Sequence, residues 1–266
     1  MGKLRDYGGW AIITGASAGL GEAFAWALAE EGYNCFLAAR REDRLQALQE
    51  AIQKAHDVEV RYAVVDLSDE EALGGFIAQI QEVPVGVLVN NAGFGKTGLF
   101  WNGEPDRLAA MVRLNCLAPA LLARACLPAM LERGQGAVIM VSSVLGFTPG
   151  PYGALYAATK AFDLSLGEAL WGELRGTGVD VVSVCPGPVA TEFFTVAGVD
   201  DSRQRRIMAV AAPPERIVRQ TLRALGRRPS TGPLIALFAT VMMRVFPRRW
   251  AIWIQGRIMR ESYGVE

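Results

Sequence analysis

The chain has 266 residues, 51% of them apolar and 20% charged, and its 27 basic side chains balance its 27 acidic ones. That profile fits one globular domain with a substantial core, and no nucleic-acid partner is expected. A single histidine, His56, and four scattered cysteines without a CxxC pair exclude the usual zinc spacings and a histidine-based triad.

Cys35 and Cys185 lie in apolar, strand-like runs and read as small buried hydrophobes, which suits a reducing compartment. The opening MGKLRDYGG carries no apolar signal-peptide core, and Asp6 stands where myristoylation of Gly2 wants Ser or Thr, so a cytoplasmic location is expected.

In chain order, Trp10 to Thr14 is an apolar run that enters Thr14-Gly-Ala-Ser-Ala-Gly-Leu-Gly21, and an Ala/Leu-rich helical stretch follows to about Glu31. Strand, glycine turn and helix in this sequence predict a dinucleotide-phosphate site. Gly15 permits the tight turn, Gly19 the approach of a pyrophosphate and Gly21 close helix–strand packing, with phosphate on the helix N-terminus. Asn34 to Ala39 reads as a second strand, and its tip is informative. A site for the unphosphorylated dinucleotide usually places a carboxylate there to accept ribose hydroxyls; here the tip is Ala39, followed by Arg40. A guanidinium suits a 2′-phosphate through charge and forked donors, so NADP(H) is the expected cofactor, while Arg41 and Arg44 either assist or decorate the next helix.

Leu45 to Ala55 continues that helix, and Val58 to Val65 alternates as a third strand into Asp66-Leu67. Asp66 is either a contact to the adenine edge or a structural cap, and Ser68 is expected to cap the helix that follows. Val85 to Val89 is a fourth strand that runs into Asn90-Asn91-Ala92-Gly93. A helix is predicted over Arg107 to Arg133; it carries Asn115 in apolar surroundings, either as a kink-former or as the holder of a water near Lys160.

A fifth strand, Ala137 to Val141, leads to Ser143, whose hydroxyl could face a substrate oxygen. Within Gly153 to Phe162, Tyr156 and Lys160 fall one helical turn apart and share a face. A cation close to a phenol and shielded from water lowers the tyrosine pKa from about 10 towards working pH, which makes Tyr156 a candidate general acid or base. Val179 to Cys185 is a sixth strand ending in Pro186-Gly187-Pro188, ahead of Thr191, and residues 193–212 are the expected substrate lid. Strands and helices alternate without a hairpin signal, so the expected fold is α/β: a single-domain, Rossmann-type, doubly wound parallel sheet with its site beyond the strand C-termini. Residues 1–232 would form this domain and 233–266 a helical extension of it.

The zero net charge conceals an asymmetry. From Arg203 onward there are thirteen arginines and no lysine against Glu215, Glu261 and Glu266. The same region holds the apolar run Pro233 to Phe246, too short for the roughly 20 residues of a membrane span, and a basic stretch with Trp250, Trp253, Ile254 and Ile258. Three readings stay open: the tail packs over the cleft or a neighbouring subunit, sits peripherally on an anionic membrane, or receives the phosphates of an acyl carrier.

From TGASAGLG through NNAG, Asn115, Ser143 and Tyr156-x-x-x-Lys160 to Pro-Gly-Pro and Thr191, the chain resembles the short-chain dehydrogenase/reductase family along nearly its whole length. The finer likeness of NNAGFG, CPGPVATEFF and the C-terminal extension is to bacterial 3-oxoacyl and hydroxysteroid reductases. The resemblance implies an NADP(H)-dependent enzyme that interconverts a small or bulky apolar carbonyl compound and its alcohol, and a homodimer or homotetramer. In it Tyr156 exchanges the proton, Ser143 steadies the substrate oxygen, Lys160 binds the nicotinamide ribose and Asn115 anchors a relay water. Cofactor contacts are implied for Gly15, Ser17, Gly19, Leu20, Gly21, Arg40, Arg41, Asp66, Leu67, Asn91, Ala92, Gly93, Tyr156, Lys160, Pro186, Gly187, Val189 and Thr191, and no metal. Thr159 departs from the family's more usual Ser. The alternative is an NADP(H)-binding sensor or membrane-associated scaffold that lost turnover, since fold alone does not make an enzyme.

Overall fold

The computed structural model of the chain describes residues 6–233 and 247–263. Seven parallel strands form one sheet in the order β3-β2-β1-β4-β5-β6-β7. They are β1 (Trp10–Thr14), β2 (Asn34–Ala39), β3 (Val60–Val64), β4 (Val85–Asn90), β5 (Gly136–Val141), β6 (Val179–Val184) and β7 (Ser230–Thr231). Alternate residues of each inner strand face opposite layers, and both layers are apolar. Ala11 and Ile13 of β1 join Leu37, Val89 and Ile139 under α1 (Gly19–Glu30), α2 (Glu42–Ala55) and α9 (Pro214–Ala224). On the other side Trp10 and Ile12 join Phe36, Leu88 and Val138 under α3 (Glu70–Gln81) and α5 (Ala118–Arg133). This is the doubly wound α/β sandwich expected from the residue pattern. The winding direction reverses between β1 and β4, and that switch point opens a crevice beyond the strand C-termini.

Two expectations need correction. Asp69, not Ser68, caps α3, because its carboxylate accepts the Ala72 amide at 2.8 Å while the Ser68 hydroxyl is turned to Asp66. The helix predicted over Arg107 to Arg133 starts at Pro105 and is interrupted: α4 (Pro105–Val112) passes through a π-helical turn, Arg113–Leu117, into α5. Such a turn inserts one residue into the helical ladder and re-aims the side chains that follow. The edge strand β7, which the residue pattern did not announce, is only two residues long, paired with β6 through Ser183 and Ser230, and carries no readable period.

The stretch Pro105–Arg133 is long and apolar enough to cross a membrane by length and composition. In this fold its Ala118, Leu122, Cys126 and Met130 are buried against the sheet. After β6 the chain forms α7 (Phe193–Val196) and α8 (Asp201–Met208), and the last described element is α10 (Arg248–Tyr263). The apolar run starting at Pro233 lies, beyond that proline, outside the described residues.

Candidate active site

The glycines between β1 and α1 stand where a side chain has no room. Gly15 and Gly19 adopt φ of 65° and 61°, a region that glycine enters without penalty. A Cβ at Gly21 would lie 2.3 Å from the Gly15 carbonyl oxygen, and one at Gly19 would lie 2.7 Å from the Thr191 methyl. The Asn91 amide ties the exit of β4 to this loop, donating to the Thr14 carbonyl at 2.8 Å and the Gly15 carbonyl at 3.2 Å. The backbone amides of Asn91 and Ala92 both donate to the Thr14 hydroxyl at 3.0 Å. Leu20 borders the core and Leu67 is buried beside β3, so both shape the crevice through packing.

Beyond β2 the arginines divide their work. The Arg40 side chain is 68% exposed and lies 3.6 Å from Asp66. Burial works against ionising Asp66, but the Ser68 hydroxyl and amide, with Arg40 beside it, hold its carboxyl below the usual range. Asp66 is therefore a local cap and a partner of Arg40. Arg41 turns back onto the glycine loop, donating to the Ser17 hydroxyl from Nε at 3.2 Å and from Nη2 at 3.0 Å. Its Nη1 and that of Arg44 each donate at 2.8 Å to the two carboxylate oxygens of Glu192, the residue that enters α7. Sequence reasoning passed over Glu192, whose role rests on a contact spanning some 150 positions.

The catalytic candidates meet at the far end of the same crevice. Ser143 follows β5, and its hydroxyl accepts the Leu145 amide at 3.2 Å and reaches the Tyr156 phenol. Tyr156 and Lys160 lie on α6 (Ala154–Glu173). Asn115, fully buried in the π turn, pairs with both backbone groups of Phe94 at 3.1 and 2.9 Å and donates to the Thr159 hydroxyl at 3.0 Å. Thr159 in turn donates to the Tyr156 carbonyl at 2.8 Å, so the hydroxyl shared by Ser and Thr is the part in use. A Cβ at Gly93 would sit 3.0 Å from the Asn115 amide oxygen and 3.5 Å from Lys160 Nζ, so the loop after β4, the π turn and α6 converge here. Pro186 accepts the Val144 amide at 3.0 Å, and Val189 pairs with Ala212, which set the course of the chain past Gly187 to Thr191.

One electrostatic expectation is reversed. Tyr156 keeps intermediate exposure, and desolvation by the protein around it pushes the phenol above its ordinary pKa despite the opposing pull of Lys160. Lys160 Nζ stands 6.0 Å from the ring centroid and is committed elsewhere, donating to the Val141 carbonyl at 2.8 Å and to Asp163 at 2.9 Å.

Tyr156 also lines an apolar pocket with Leu145, Phe193, Phe194, Ala197 and Met259; among the described residues Lys96 is its only charged lining side chain. The Phe193 ring lies 5.3 Å from that of Tyr156, which puts the start of the expected lid against the phenol. Met259 comes from α10 and is 4% exposed, so the C-terminal helix closes one wall.

Comparison with known proteins agrees with this geometry. The short chain dehydrogenase family model matches residues 9–201. The very-long-chain 3-oxoacyl-CoA reductase of Bos taurus is 30% identical over 88% of this chain and 74% of its own length. The chain spans 58% to 74% of the length of eight curated relatives that it matches. Among solved structures, a 7beta-hydroxysteroid dehydrogenase superposes with a TM-score of 0.86 at 27% identity, covering 96% of this chain and 99% of that one. A short-chain dehydrogenase from Sphingobium yanoikuyae in complex with NADPH gives 0.78 at 30% identity, covering 95% and 94%. The family model spans more than half of the chain, including the glycine loop and the Tyr-Lys turn, and the chain belongs to the short-chain dehydrogenase family.

Proposed function

We propose that the protein is an NADP(H)-dependent oxidoreductase that interconverts a ketone or aldehyde and its alcohol on a bulky apolar substrate. The observation that carries this reading is Tyr156, which walls an apolar pocket while its phenol meets Ser143 and faces Lys160. The crevice fits a dinucleotide, since Gly15, Gly19 and Gly21 leave only backbone where a pyrophosphate would lie. Arg40 at the tip of β2, with Arg41 at Ser17, favours the phosphorylated form, and Ala39 offers no carboxylate to repel it. Asp66, already held by Ser68, borders the adenine side.

When bound, the nicotinamide supplies or accepts the hydride at the substrate carbon. The protein's part is to place and protonate the oxygen. Ser143 donates to that oxygen and keeps it beside the phenol; Tyr156 gives it the phenolic proton as it becomes a hydroxyl. Lys160 holds the ribose with its remaining donor and, with Asn115 behind it, marks the route by which the phenol regains a proton from solvent. Phe193 and Phe194 exclude water from the pocket.

Bulk in the substrate is supported by the apolar lining and by the names of two relatives, a very-long-chain reductase and a hydroxysteroid dehydrogenase. The test is an NADPH-oxidation screen against 3-oxoacyl thioesters, steroid ketones, retinal-like aldehydes and quinones. Tight NADPH binding with no turnover on any of them would favour the sensor reading.

Two further features belong to this proposal. Helix α10 turns Met259 inward, while Trp250, Trp253, Ile254 and Ile258 stand outward, each more than half exposed, with Arg257 stacked on Trp253. A helix face that mixes tryptophan, isoleucine and arginine suits an anionic membrane surface, so a peripheral location beside lipid is proposed, with the pocket wall on the helix's other side. Leu121 of α5 and Phe162 of α6, each 40% exposed, would be covered by a second copy in a homodimer or homotetramer.

A further inference from the structure

Asp163 is the buried ionisable group that the chemistry above leaves unused. It lies on α6 one turn beyond Lys160, is 3% exposed, and holds Lys160 Nζ at 2.9 Å. Its second oxygen is buried with no hydrogen-bond partner among the described residues. Bringing a carboxylate this deep is costly unless a charge beside it compensates, and removing one member of such a pair leaves the other stranded.

We propose that Asp163 is a positioning residue for Lys160: it anchors the ammonium beside Val141 and offsets part of its pull on the Tyr156 phenol, so that the phenol stays protonated and ready to donate. This rests on the role given to Tyr156 above. A lysine has three N–H donors, and here two are committed, one to the Val141 carbonyl at 2.8 Å and one to Asp163. One is left for a ribose hydroxyl. From the phenol the pair is felt as a dipole, and a dipole's field falls off faster than that of a lone cation.

Among the described residues no other charge holds Lys160. The groups facing the pair are Tyr156 on α6, Cys116 from the π turn and Cys185 beyond β6. Burial pushes the two thiols up to about 11 and about 12, so both stay neutral. Glu168, further along α6, is turned outward to the Ser230 hydroxyl at 2.7 Å. Burial raises the phenol most, Lys160 and then the Ser143 hydroxyl oppose it, and Asp163 makes the smallest contribution, which adds to the rise.

The test is a tyrosinate absorbance titration of the NADP+-bound full chain, with Tyr156 isolated by subtracting the matching Tyr156→Phe protein. In Asp163→Asn the Tyr156 midpoint should fall by about one pH unit, an approximately tenfold larger phenolate fraction at any pH below it. An unchanged or higher midpoint in a folded Asp163→Asn protein overturns the proposal. Asp163→Leu, which removes the buried polarity as well as the charge, serves if the amide variant fails to fold. If neither folds, the residue is structural only and the proposal is wrong. Because the readout counts a phenol and not turnover, an inactive wild type would count against the oxidoreductase reading and leave this result standing.

Discussion

Replacing Arg40 with alanine should weaken NADPH about tenfold and leave NADH where it was. A charge-assisted hydrogen bond contributes about 1.5 to 3 kcal/mol where water is excluded. The Arg40 side chain is 68% exposed, so solvent and salt screen it and the lower end applies; about 1.4 kcal/mol is a factor of ten. Loss of the 3.6 Å pair with Asp66 adds little, because Asp66 keeps both bonds from Ser68. Arg41 compensates only in part, since Ser17 and Glu192 already engage it. Fluorescence titration of both cofactors with wild type and Arg40→Ala, at low and high salt, reads the effect directly. The difference between NADPH and NADH should shrink in the variant and also in wild type as salt rises. Equal wild-type affinities, or a variant that loses both cofactors alike, would refute the assignment of the 2′-phosphate to this arginine.

Tyr156→Phe should abolish carbonyl reduction while NADPH still binds, since the ring packs as before without its proton; retention of a tenth of the wild-type rate would point to another acid. Lys160→Ala should damage both turnover and binding, and should also melt at lower temperature because Asp163 is left unpaired at a buried site. Vesicles of anionic lipid should co-sediment the protein at low salt, and Trp250→Ser with Trp253→Ser should abolish it. If neutral and anionic vesicles behave alike the membrane reading fails, and acyl-carrier binding is then measured in its place. Cys35, Cys126 and Cys185, with thiols pushed up to about 12 by burial, should resist a thiol reagent in the native protein and react only on unfolding. Rapid native labelling of all three would contradict the packing described.

The sequence alone determined the architecture and singled out most of the candidate site, because both rest on short-range chemistry. Fully apolar strands announce a sheet covered on both faces, a glycine loop between strand and helix announces a phosphate cradle, and Tyr156 and Lys160 announce themselves by one helical turn. Arg40 was legible for the same reason, as the residue that follows a strand tip. What the tertiary structure decided are the terms that depend on distant partners or on burial. The π turn that carries Asn115 has no composition of its own; it is set by Asn115 reaching both Phe94 and Thr159. The clamp of Glu192 on Arg41 and Arg44 joins two loops on opposite sides of the sheet's switch point. Even the sign of the shift at Tyr156 escaped local reasoning. The spacing to Lys160 says only that a cation is near, whereas the pKa follows from how much water the fold removes and from the carboxylate that it buries beside that cation.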